Sequence, residues 1–213
     1  QNDSLTQVMI EEADKEPLDT LRKSIFFSIY YLNKNSNPII ARQYIMKANA
    51  ILRQNIKTHP RSYFNSLIEC SVINRILGNY TEALPYINEA FKFADSLNNS
   101  ALTANAYDEK GLLSMNIGDF KTAKEYFLKE IGIRTIRDPK DSTIFGTYNN
   151  LAIIYAQTGE MSKAEEYFRL ALQNALKLNH VHSLGNGYNN MGVIKIMQGK
   201  LDSVMYFLVK GKE

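Results

Sequence analysis

Four glycines set the period of this chain. Gly78, Gly118, Gly159 and Gly199 stand 40, 41 and 40 residues apart, in the settings Leu77-Gly78-Asn79-Tyr80, Ile117-Gly118-Asp119-Phe120, Thr158-Gly159-Glu160-Met161 and Gln198-Gly199-Lys200-Leu201. Seven residues before each glycine stands a small residue (Ser71, Gly111, Ala152, Gly192), and eleven before it a large one (Leu67, Tyr107, Tyr148, Tyr188). Five residues after come Ala83, Ala123, Ala164 and Val204; nine after come Ile87, Phe127, Phe168 and Leu208. Five matched columns over four windows predict a repeat, and a repeat determines the fold class.

A glycine between two helical patterns takes a positive φ without steric cost, so each one is expected to end a helix and reverse the chain. The small column lets the second helix of a pair come close to the first, and the bulky columns fill the space left between them. Asn79 and Asp119 are good N-caps for the helices that follow, whereas Glu160 and Lys200 are not. Pro85 falls inside an expected helix, where it removes one backbone hydrogen bond and is expected to bend the chain.

Composition fits a helical array and excludes several alternatives. Of 213 residues, 45% are hydrophobic, enough to line a long core. The balance of 25 basic and 22 acidic residues, net +3, with no run of five like charges, predicts neither a nucleic-acid surface nor a polyanion receptor. Cys70 is the single cysteine, cannot form an internal disulfide, and reads as a small buried hydrophobe. The longest apolar stretch, from Ile25 to Leu32 between Lys23 and Lys34, is far short of the ~18 residues a membrane span needs and reads as a buried helix.

The sentence Tyr148-Asn149-Asn150-Leu151-Ala152-Ile153-Ile154-Tyr155, then Gly159, then Lys163-Ala164-Glu165-Glu166-Tyr167-Phe168 resembles the tetratricopeptide repeat, in the longer variety seen in kinesin light chains and bacterial sensor and scaffold proteins. That resemblance implies an all-α fold, a right-handed superhelical solenoid of antiparallel helix pairs. A lead-in helix within residues 1–16, around Ser4 to Ala13, would precede a single array of about five pairs at 17–56, 60–98, 100–138, 141–179 and 181–213. Clear motifs cover residues 60 to 213, with Ala41, Ile45 and Ala48 marking a weaker first unit.

By the geometry of the family, the first helix of each pair lines a concave ligand-binding face. The matching positions here are Asn105, Asp108, Glu109 and Leu112; then Asn149, Asn150, Ile153 and Gln157; then Asn186, Asn189, Asn190 and Val193. An asparagine carries both donor and acceptor, so the paired amides could hold the backbone of an extended peptide over a floor of Leu112, Ile153 and Val193. Plain solvation of a polar face is the competing reading. The lysines and arginines of the carboxylate-clamp subclass are missing, so recognition of a chain terminus is not expected.

No catalytic set can be assembled from the sequence, and neither a cofactor nor a metal is expected. His180-Val181-His182 lacks a third ligand, His59 precedes Pro60 at a helix boundary, and Gly185-Asn186-Gly187 lacks the strand and lysine of a phosphate loop. The expected partner is a protein or peptide and not nucleic acid. Gln1 in place of methionine points to a segment removed before it, and Leu201 to Glu213 starts a helix whose apolar face has no following partner. The opening Gln1-Asn2-Asp3-Ser4-Leu5 resembles the mature start of exported bacterial proteins. The expectation is therefore a sensory or scaffolding region of a larger signalling protein of the histidine-kinase type, extracytoplasmic and not itself membrane-inserted, with homodimer or end-to-end association open to it. The alternative is a cytoplasmic peptide receptor or co-chaperone-like adaptor.

Overall fold

The structure, a computed structural model, describes residues 2–138, 141, 143–178 and 181–211; among them there are eleven helices and no strand. By its contacts the chain divides into two units, Gln1–Ile117 and Gly118–Glu213. The first holds α1 (Asn2–Lys15), α2 (Asp19–Asn33), α3 (Pro38–Gln54), α4 (Pro60–Ile76), α5 (Tyr80–Ser96) and α6 (Ser100–Asn116). The second holds α7 (Phe120–Arg137), α8 (Ile144–Gln157), α9 (Met161–Leu178), α10 (Val181–Met197) and α11 (Leu201–Lys210). No helix among the described residues is long and apolar enough to cross a membrane.

The glycine turns take the conformation their sequence requires. Gly78, Gly118, Gly159 and Gly199 all have φ between 71° and 80°. At Gly78, Gly159 and Gly199 the turn closes by the same two bonds. The glycine N–H reaches the carbonyl three residues back, and the next N–H reaches the carbonyl five residues back, as in Asn79 N to Asn74 O at 2.8 Å. Asn98, with φ 47°, reproduces the arrangement between α5 and α6 without a glycine, because asparagine tolerates the left-handed region.

The column residues pack as their sizes demand. Ser71 and Ala152 are fully buried, Ala83, Ala123 and Ala164 likewise, and Ile87 and Phe127 fill the adjoining space at 0% exposure. At Gly192 an added Cβ would lie 3.4 Å from Leu208, so α10 and α11 are in contact at that point. In the first unit one core joins Phe26, Ile29, Tyr30, Ala41, Ile45, Cys70 and Ile73 from α2, α3 and α4. A second joins Phe64, Leu67, Ile87, Ala90, Leu102 and Leu113 from α4, α5 and α6. Burial pushes the Cys70 thiol up to about 12, which suits an inert packing residue.

One capping expectation is corrected. Asn79 does not cap α5 with its side chain; its backbone carbonyl accepts from the N–H groups of Glu82 and Ala83 instead. Asp119 does cap α7, accepting from Thr122 N at 3.1 Å. Pro85 does not interrupt α5, which runs unbroken from Tyr80 to Ser96. Both Pro85 and Thr81, whose carbonyl loses its usual partner, are exposed, so water can take the place of the missing bond.

At α11 the apolar side facing away from α10 stays open, with Leu201 and Met205 each 67% exposed. Ala164, by contrast, is sealed. Replacing it with leucine is expected to lower unfolding stability by ~1–3 kcal/mol through overpacking. Denaturant titration of Ala164→Leu checks this, and stability equal to the parent's would mean that the alanine column does not set the helix spacing.

Candidate functional site

The first-position helices α4, α6, α8 and α10 place the residue two after the large column, Glu69, Glu109, Asn150 or Asn190, at matching points. Three of these four reach back to the preceding first-position helix. Glu69 accepts from the hydroxyl of Tyr30, from Lys34 Nζ at 2.9 Å and from the Tyr31 hydroxyl at 3.3 Å, which ties α4 to α2. Glu109 receives Ser71 Oγ and Arg75 Nε at 3.0 Å each, with the Arg75 Nη2 at 3.0 Å from its other oxygen, tying α6 to α4. Asn190 Nδ2 donates to Asn149 Oδ1, tying α10 to α8.

This arrangement changes the part that Glu109 can play. It was expected on the binding face, but at 2% exposure its carboxylate is enclosed between helices and occupied by Arg75 and Ser71. Burial pushes its carboxyl above the ordinary value, and the guanidinium and hydroxyl pull against that shift. A buried charge held this way links helices and has no face left for a ligand. The other sequence-derived positions of α6 differ among themselves: Asn105 is exposed, while Asp108 and Leu112 are half-buried.

In the second unit Asn149, Asn150 and Ile153 are half-buried on α8, and Gln157 is exposed near its end. Val193 is 51% exposed on α10, one turn beyond Asn190. Asn186 and Asn189 do not join the amide contact. They line a separate cavity of about 520 Å3 with His182, Tyr188, Lys210 and Gly211, between the start of α10 and the end of α11. Asn186 lies 3.2 Å from His182. His180 falls outside the described residues, and among those described no group of three His, Cys, Asp or Glu is placed to hold a metal.

Sequence reading missed Tyr30 and Tyr31 of α2, and Lys34 just after it, because α2 carries no glycine-framed repeat to mark its register. It also missed the α9–α10 link, in which Glu165 meets Lys195 at 2.8 Å, Gln198 at 2.8 Å and Arg169 at 3.0 Å.

The family described as Tetratricopeptide repeat matches residues 104–134 and 145–177. These two segments carry the tetratricopeptide-repeat pattern. Photosystem I assembly protein Ycf3 of Cyanophora paradoxa is 33% identical over 97 residues, 46% of this chain, and the chain spans 50% of that protein's length. Among solved structures, BtubC (BKLC) from P. vanneervenii aligns over 98% of this chain and 87% of its own, with TM-score 0.79 and 15% identity. A Rap protein complexed with Competence and Sporulation Factor aligns over 95% of this chain and 67% of its own, with TM-score 0.73 and 14% identity. At these identities the structural likeness establishes the fold, the all-α tetratricopeptide-type solenoid.

Lys195, Gln198 and Arg169 hold the Glu165 carboxyl down from the usual 4.5 to about 2. A carboxyl depressed in the folded state contributes stability that is present above its unfolded value and lost as pH falls through the folded one. The melting temperature is therefore expected to drop between pH 4.5 and about 2, and more steeply for the parent than for Glu165→Gln. Parallel slopes for the two proteins would show that Lys195 gives Glu165 no net support.

Proposed function

We propose that this chain is a protein-binding module in which the first-position helices receive an extended segment of a partner. The observation that carries the reading is the bonded pair Asn149–Asn190 with Ile153 and Val193 one turn further along their helices. Each amide offers two donor hydrogens and an acceptor oxygen, so one mutual bond fixes their orientation and leaves capacity for a third backbone. The neighbouring apolar side chains supply the surface against which a peptide side chain can be desolvated. A Rap protein of the same fold, complexed with Competence and Sporulation Factor, supports a ligand-receiving use of this fold.

The wider setting we propose is the sensory or scaffolding region of a bacterial signalling protein of the histidine-kinase type, on the extracytoplasmic side. That setting rests on the sequence resemblance alone. Its test is an alkaline phosphatase fusion in the native host: activity supports export, and an inactive fusion moves the module to a cytoplasmic peptide receptor.

A photo-crosslinker placed at Val193 is expected to capture a protein partner, while the same group at Ile136, 88% exposed on α7, captures none. The double variant Asn149→Ala, Asn190→Ala should keep the parent's helicity and weaken capture about thirtyfold, since each lost hydrogen bond contributes about 1 kcal/mol. Equal capture by parent and variant would remove the amides from the site.

A further inference from the structure

The near-balance of charge over the whole chain conceals a segregation. Residues 20–68 contain eight lysines and arginines and not one aspartate or glutamate, whereas residues 1–19 contain six acids and a single lysine. Three of the eight cations, Arg42, Lys47 and Arg53, lie on α3. This helix is second in its pair, so its outward side is a different surface from the first-position helices discussed above.

The outward residues of α3 form a seam. Ile39, Gln43, Met46, Ala50 and Arg53 follow one another at spacings of four, three, four and three residues, the interval at which one helix presents a continuous stripe to another. Ile39 is 73% exposed at the head of the seam. Beside the seam runs a groove of about 770 Å3, lined by Ile39, Arg42, Met46, Lys47 and Ala50 of α3 with Leu77 and Asn79 from the α4–α5 turn.

Two of the cations along this groove, Arg42 and Lys47, are held in place. Arg42 Nε donates to Asn74 Oδ1 at 2.7 Å, and its Nη2 meets the half-exposed Glu82 at 2.5 Å. Lys47 Nζ stands over the rings of Tyr44 and Phe26, at 4.5 and 5.5 Å, and not against a carboxylate. Arg53, at the end of the seam, keeps 67% of its side chain exposed and reaches Glu89 only at 3.7 Å. Fixed cations beside an apolar stripe lose little side-chain freedom on meeting an anionic partner.

We propose that the α3 groove docks an acidic amphipathic α-helix of a partner protein, its apolar face on Ile39, Met46 and Ala50 and its carboxylates toward Arg42, Lys47 and Arg53. A nucleic acid or a plain polyanion would satisfy the cations but leave the apolar seam wet. A helix supplies both kinds of contact at the matching interval, and the seam is about four turns long.

The test uses the whole chain and a dye-labelled synthetic helix of about five turns, with leucines at heptad spacing flanked by glutamates, followed by fluorescence anisotropy. Saturable, salt-sensitive binding is expected, absent for the same peptide with lysine in place of glutamate. Ile39→Asp and Lys47→Glu, both at exposed sites and checked for folding by circular dichroism, should each weaken it about tenfold. Asn149→Ala with Asn190→Ala should leave it unchanged. No binding of the glutamate helix, binding unaltered in the α3 variants, or loss in the asparagine variant would overturn the proposal. Equal binding of polyglutamate, RNA or anionic vesicles would overturn it too, since each lacks the apolar stripe the groove is held to read.

Discussion

Close approach between helices is the condition on which this structure depends. Where Ala83, Ala123 and Ala164 are wholly buried, neighbouring backbones come near enough for one isoleucine or phenylalanine to fill the remaining space. That approach also brings side chains of successive first-position helices within bonding distance. Glu109 meets Arg75, and Asn190 meets Asn149, only because the packing beneath them fixes the separation. The apolar columns are thus the support for every polar contact considered above.

The turns were legible in the sequence because their steric demand falls on single residues. A φ of 71–80° selects glycine so strongly that four glycines at a constant interval could be read directly. Asn98 does the same work without being read, because asparagine tolerates that conformation and occurs in many others. Capping was partly legible: Asp119 caps with its side chain and Asn79 does not.

The candidate site was less legible for a related reason. Which polar residues face a ligand, and which face each other, depends on the register between helices some 40 residues apart, and no local pattern encodes it. Glu109 and Asn190 occupy the same column, yet one is enclosed by an arginine and the other is bonded to a half-buried amide. Likewise the acidic first 19 residues cancel much of the charge of the basic segment after them, so a whole-chain total hides what a local count shows.

The unlike links between first-position helices have a consequence for how such a chain can change over generations. Glu69 needs the hydroxyls and ammonium of α2, Glu109 needs Arg75, and Asn190 needs another amide. If recombination copied or exchanged the 40-residue segments, Glu109 would arrive opposite a helix lacking its guanidinium. An unmatched buried carboxylate costs about 3–5 kcal/mol, a large part of the stability of an ordinary domain. The 40-residue segments are in this sense ordered parts, each fitted to a particular predecessor. Further divergence is then channelled into substitution at exposed positions, and away from tandem gain or loss of whole segments.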